Sequence, residues 1–129
     1  MSALSEDLAK TWLRECGLPV PAGSVAGTRE AAAQGEAPGH ASVTGPVVIK
    51  ALVPTGRRGK AGAILIAQTE AERRAAAASL IGSALNGYQV AAVYVEKKIA
   101  IHKELYLSFV LSSDQPEVLI STRGGVDIE

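Results

Sequence analysis

Apolar and polar positions change their spacing several times along this chain, and each change marks an element. Leu4, Leu8, Trp12 and Cys16 recur every four residues with Leu13 alongside, the spacing of one helical face. Glu6 and Asp7 suit the positive end of the helix dipole, and Gly17 stands where the helix would close. Pro19 and Pro21 then forbid its continuation. On that stripe Trp12 is expected as a core anchor and Cys16 as a small core residue. A short strand over 23–26 and a short helix over 28–34 follow. Residues 35–45 hold three glycines and a proline and read as a loop, with His40 a solvated member of it. Residues 46–49 and 63–66 are short runs of branched apolar side chains, the pattern of buried strands.

Thr69 and Glu72 form a capping box that opens a helix running to about Leu85, closed by Asn86-Gly87. Residues 90–95 read as another buried strand, with Glu96-Lys97-Lys98 directly after it. Leu105, Leu107, Phe109 and Leu111 share one face of an alternating strand, Asp114-Gln115-Pro116 turns the chain, and residues 118–120 return it. Helices and strands are thus interspersed in a mixed α/β or α+β pattern.

With 129 residues the chain makes about one small domain. Thirteen basic and thirteen acidic side chains cancel. There is no global field to draw in nucleic acid or an anionic membrane, so any anion site must be local. One cysteine cannot form an internal disulfide, which suits a reducing compartment. The N-terminal residues lack the pattern of a signal peptide, and no apolar stretch approaches ~18 residues. A soluble, cytoplasmic protein is expected.

The candidate chemistry lies between the two apolar runs, in PVVIKALVPTGRRGKAGAILI. Glycines let backbone N–H groups approach a ligand, while Lys50, Arg57, Arg58 and Lys60 can neutralise anionic oxygens. This is not a Walker loop, because Lys60 is followed by Ala61 and the magnesium-binding hydroxyl is missing. From the loop alone two readings stand: a phosphate cradle, or a solvated hairpin whose charges keep a tight turn soluble. Glu96 and Glu104 are candidate carboxylates for the polar end of a nucleoside, or ordinary surface partners of Lys97, Lys98 and Lys103.

Taken together, LAKTWLRECGLPVPAG, VVIKALVPTGRRGKAG, VEKKIAIHKELYLSFVL and STRGGVDIE give the chain a family resemblance. It resembles the N-terminal part of the ATP-grasp (beta) subunit of the succinyl-CoA synthetase and malate-CoA ligase family, related to ATP-citrate lyase. The resemblance implies an ATP-grasp fold in which residues 22–99 form a small lobe with the basic glycine-rich loop. Residues 1–21, a helix and linker, would belong with the second lobe, and residues 100–129 would be a hairpin that starts it. It implies an acid–CoA ligase acting through a phosphohistidine and an acyl phosphate. Lys50, Arg57, Arg58, Gly59, Glu96, Ile99 and Glu104 would bind the nucleotide, ATP or GTP. No catalytic residue and no metal ligand is assigned within the chain: Mg2+ ligands would lie outside it, and the phosphohistidine on a CoA-binding partner subunit or domain.

Two departures from the family pattern stand out. Arg57 replaces a glycine of A-G-G-R-G-K, matching instead the R-R-G-K of citrate lyases, and Pro54 falls where a histidine is common. The alternative function is a non-catalytic ATP-grasp-like module for another anion. Strands meant for downstream partners would leave open edges, so a homodimer of the chain is a further expectation, and a monomer over a wide concentration range would exclude it.

Overall fold

The computed structural model describes residues 4–34, 43–111 and 115–125. The chain divides into two units, Met1–Ile99 and Ala100–Glu129.

The first unit begins with α1, Glu6–Glu15. Its end is a Schellman motif: the Gly17 N–H donates to the Arg14 carbonyl at 2.9 Å and the Leu18 N–H to the Leu13 carbonyl at 3.0 Å. Gly17 sits at φ +79°, where a side chain would be strained, so the residue that closes the helix is a glycine. Four strands follow in the order β1-β6-β2-β3, every neighbouring pair antiparallel. They are β1 Gly23–Ala26, β2 Val47–Ala51, β3 Ile64–Ala67 and β6 Val93–Lys97. On one face Val47, Ile49, Ala51, Val93, Val95, Ala26 and Ala67 are buried. They pack with Ala32 of α2 (Arg29–Gln34) and with Ala77 and Leu80 of α3 (Glu70–Leu80). The small alanines let both helices lie close to the branched strand residues.

Arg73 of α3 is also buried, and its guanidinium ties down the approach to β2. One Nη donates to the Val43 carbonyl at 2.9 Å and the other to the Gly45 carbonyl. The expected loop over 35–45, with His40, lies mostly outside the described residues.

Three boundaries differ from expectation. The capping box at α3 is present in part: Thr69 Oγ1 accepts the Glu72 N–H at 3.2 Å, while the Glu72 carboxylate reaches the Gln68 N–H at 2.6 Å. The helix, however, ends at Leu80, not near Leu85, because Gly82 turns the chain at φ +85°. Asn86-Gly87 is not a helix stop. With φ of 49° and 83° it is the turn of a small hairpin joining β4 (Ala84–Leu85) and β5 (Tyr88–Gln89), the conformation such pairs favour. The strand expected over 90–95 is displaced to Val93–Lys97. Glu96 is therefore inside β6, paired with Gly23 on one side and Val48 on the other.

The apolar stripe of α1 is the largest correction. Trp12 is 56% exposed, Leu4, Leu8 and Leu13 are exposed as well, and so is Cys16. Glu6 and Lys10 are each two positions from that stripe, about 200° around the helix. Because they face the sheet, the stripe faces away from it. Ion pairing, not apolar burial, seats α1 on its own unit.

The opposite face of the sheet carries Tyr94 against Gly23. A methyl group on Gly23 would stand 2.5 Å from the Tyr94 hydroxyl and 2.6 Å from Cζ. Gly23→Ala should therefore lower stability by about 1–3 kcal/mol by driving the ring off β1. Urea unfolding measures it, and an unchanged midpoint would mean that the ring has room to move.

The second unit is a hairpin of β7, Tyr106–Leu111, and β8, Pro116–Ser121, with Tyr106 opposite Ser121 and Leu111 opposite Pro116. Of the expected turn Asp114-Gln115-Pro116, Asp114 lies outside the described residues, and Pro116 already belongs to β8. Leu107, Phe109, Leu111 and Ile120 remain well exposed. The alternation correctly marks a strand, but none of the described residues of the unit covers it. No helix among the described residues is long and apolar enough to cross a membrane.

Candidate functional site

Cross-strand register brings the first two site residues together. Val48 pairs with Glu96 and Lys50 with Tyr94, and residues two apart on a strand share a face, so Lys50 and Glu96 point to the same side. That side is opposite the hydrophobic core. Lys50 Nζ donates to Glu96 Oε1 at 3.0 Å.

The basic loop supplies Arg58. It folds back on itself through Ala61 N–H to the Arg57 carbonyl (3.1 Å), Gly62 N–H to the Gly59 carbonyl (3.2 Å) and Ala63 N–H to the Arg58 carbonyl (2.9 Å). Arg57 stands at φ +58°. This is the position where the resembling family has glycine, and the left-handed conformation explains that preference. Arg58 then donates through Nη1 to the Ala51 carbonyl at 2.9 Å, which anchors it at the end of β2.

Helix α1 completes the cluster. Glu6 Oε1 accepts from Lys50 at 2.7 Å and pairs with Lys10 at 2.8 Å, and Glu6 Oε2 accepts from Arg58 Nη2 at 2.5 Å. Lys10 also donates to Glu96 Oε2, and its ammonium lies 5.0 Å from the centroid of the Tyr94 ring. Lys10, Lys50, Glu6 and Glu96 thus form a closed ring of alternating charge, with Arg58 attached at Glu6. Three cations face two carboxylates, so these five side chains together carry one net positive charge.

Burial by itself would raise the Glu6 carboxyl, but hydrogen bonds and attraction from Lys10 and Lys50 outweigh it and lower it from 4.5 to about 2. Burial pulls the Lys10 ammonium down to about 8, opposed by Glu6 and reinforced by Lys50. Burial pushes the Tyr94 phenol up. With its folded pKa depressed, Glu6 contributes stability that is fully present above 4.5 and lost as pH falls toward about 2. The expected loss is on the order of 2–3 kcal/mol, discounted for its partial exposure. Denaturant midpoints measured from pH 5 to 2 should fall less steeply in Glu6→Gln than in the parent.

Lys50, Arg58 and Glu96 are therefore brought into one cluster, and Arg57 and Gly59 lie on the loop that delivers Arg58. Ile99 is 52% exposed at the end of the first unit. Glu104 belongs to the second unit. Its carbonyl accepts the Gly124 N–H at 3.0 Å, and a methyl group on Gly124 would meet the Glu104 and Leu105 backbone at 2.9 Å. Sequence reasoning missed the roles of Glu6 and Lys10. Their signal was the i, i+4 acid–base spacing in Glu6-Asp7-Leu8-Ala9-Lys10, which by itself indicates only a helix surface pair.

Residues 3–129 match the family model ATP-grasp_2, an ATP-grasp domain. The chain belongs to this family. It is 42% identical over 129 residues to the protein "Succinate--CoA ligase [ADP-forming] subunit beta" of Chloroflexus aggregans, covering 98% of this chain and 32% of that protein. The proteins of the same description from Halobacterium salinarum and Staphylothermus marinus are each 40% identical over 129 residues, with 98% of this chain covered in both cases and 32% and 33% of those proteins. The chain thus spans about a third of the length of these relatives.

Among solved structures it is similar to the dinucleotide forming acetyl-coenzyme A synthetase 1 of Ca. Korarchaeum cryptofilum, solved in complex with coenzyme A, Ca-AMPCP and HgCl+. The TM-score is 0.80 at 21% identity, over 97% of this chain and 55% of that one. That likeness shows the fold. The family resemblance and the ATP-grasp fold read from the sequence are both borne out, and membership of this family implies nucleotide binding.

Proposed function

We propose that this chain is the nucleotide-binding part of an ATP-dependent acid–CoA ligase of the succinyl-CoA synthetase type. The observation that carries the reading is the joining of Lys50 and Arg58 on the non-core face of the sheet, in a chain 40–42% identical to succinate–CoA ligase beta subunits. In the reaction proposed for the whole enzyme, a histidine of the CoA-binding partner subunit or domain takes the phosphoryl group from ATP and releases ADP. The acid's carboxylate then takes the phosphoryl group from that histidine, and the CoA thiol displaces phosphate from the acyl phosphate. This chain's share is positioning and charge neutralisation. Lys50 and Arg58 hold phosphate oxygens, the backbone of Arg57 and Gly59 closes over them, and Glu96, Ile99 and Glu104 serve the nucleoside side.

Among the described residues no cluster of three or more His, Cys, Asp or Glu side chains could hold a metal. Both carboxylates of the ring are engaged by lysines, a poor donor set for a divalent cation. Any Mg2+ that accompanies the nucleotide is placed on ligands outside this chain. Residues 22–99 are assigned to the small lobe, with 1–21 and 100–129 going with the second, and the protein is placed in the cytoplasm.

Calorimetric titration with ATP, GTP and ADP, with and without Mg2+, tests the reading. Saturable binding of any of the three supports it. Salt-sensitive binding of an oligonucleotide with no response to nucleotide would favour an anion-binding module instead.

A further inference from the structure

We infer that Glu6 and Lys10, on a helix outside both the basic loop and the sheet, are positioning residues for the nucleotide phosphates. The inference rests on the phosphate-site reading and adds a third element to it.

Lysine is a flexible point charge, and an arginine on a glycine-rich loop is free to swing unless something holds it. Here both are held by one carboxylate. Glu6 takes Lys50 on one oxygen at 2.7 Å and Arg58 on the other at 2.5 Å, which fixes the separation of the two phosphate-side cations. Neither is saturated by this. Lys50 has three N–H donors, of which two go to Glu6 and Glu96. Arg58 has five, with one Nη on Ala51 and the other on Glu6. Donors remain for phosphate oxygens in a geometry already set before the ligand arrives, which reduces the ordering required on binding.

Lys10 acts one step further back. It joins Glu6 to Glu96, closing the ring, so that the phosphate-side cations and the nucleoside-side carboxylate move as one body. The two α1 residues are one turn apart and are 15% and 16% exposed as side chains, while the apolar stripe of the same helix stands in solvent. A helix seated only for packing would present the other face.

Binding of ATP and ADP to the 129-residue chain should be compared for the parent, Glu6→Gln, Lys10→Met and the double variant, with Lys50→Ala as reference. Each single variant should weaken binding about tenfold. The double variant should lose no more than about that amount, because breaking the ring twice removes it only once. Glu6→Asp, which keeps the charge, should recover part of the loss. A purely structural helix would lower the unfolding midpoint and leave the affinity of the folded protein unchanged, so midpoints are measured alongside. Should Glu6→Gln not fold, Glu6→Asp decides, because it shortens the carboxylate without changing the charge of the cluster: parent-like binding in it overturns the positioning role.

Parent-like or tighter binding in the folded variants, with Lys50→Ala still impaired, overturns the positioning role and leaves the phosphate site standing. Tighter binding in Glu6→Gln would identify Glu6 as a competitor of phosphate. Independent, multiplicative losses in the double variant would overturn the ring. Failure of the parent and Lys50→Ala alike to bind removes the phosphate-site reading and this inference together.

Discussion

Lys50→Ala should weaken ATP and ADP binding by roughly 30-fold or more while changing folding stability by only about 1 kcal/mol. The two effects separate because of what surrounds the lysine. Removing it takes one of three cations from the cluster, and the excess charge falls from one to zero, so the attraction for an anion largely disappears. Loss of one partner of a charged contact to a ligand costs about 2 kcal/mol or more, which is the 30-fold. The folded state tolerates the change better, since Glu6 keeps Lys10 and Arg58 and Glu96 keeps Lys10. No carboxylate is stranded. Titration calorimetry and urea unfolding on the same preparation measure both quantities. Unaltered affinity would remove Lys50 from the phosphate site.

Glu96→Ala should act in the opposite sense, destabilising the fold by about 3 kcal/mol. The Glu96 side chain is only 9% exposed and accepts from both Lys10 and Lys50. Without it three cations converge on Glu6 alone, and the excess charge rises from one to two in a largely dehydrated place. Breaking a buried pair by deleting one member strands the charge left behind, which is far more damaging than replacing the whole pair with apolar groups. The double variant Glu96→Ala/Lys10→Met should accordingly regain part of the loss, because it removes the stranded charge as well. Thermal and urea unfolding provide the test. A single variant as stable as the parent would mean that water, not Glu96, solvates the two lysines.

Much of the first unit was legible along the chain because its causes are local. The Gly17 stop needs a left-handed residue, Thr69 caps the helix three residues before Glu72, and the runs 46–49 and 63–66 fall at the paired strands β2 and β3, although β3 exposes Ile64 and Ile66 instead of burying them. Asn86-Gly87 was misread because the same glycine signal ends helices and turns hairpins. The choice lay with Gly82, which had already stopped α3. The direction faced by α1 was not legible. A four-residue apolar repeat ordinarily marks the buried side of a helix, and here the charged side is the one that is held.

What the sequence by itself determined was the family, the mixed α/β pattern and the identity of the basic loop, including Arg57 at a position whose backbone favours glycine. These depend on residues near one another in the chain, or on a motif read whole. What only the tertiary structure decided was the company those residues keep: Glu6 pairs with Lys50 and Arg58 across 44 and 52 positions, Lys10 with Glu96 across 86, and all five meet in one cluster. Spacing cannot encode such a meeting. It arises because antiparallel register places Lys50 and Glu96 on one face, the loop returns Arg58 to the end of β2, and Glu6 and Lys10, one turn of α1 apart, meet that face with their charges.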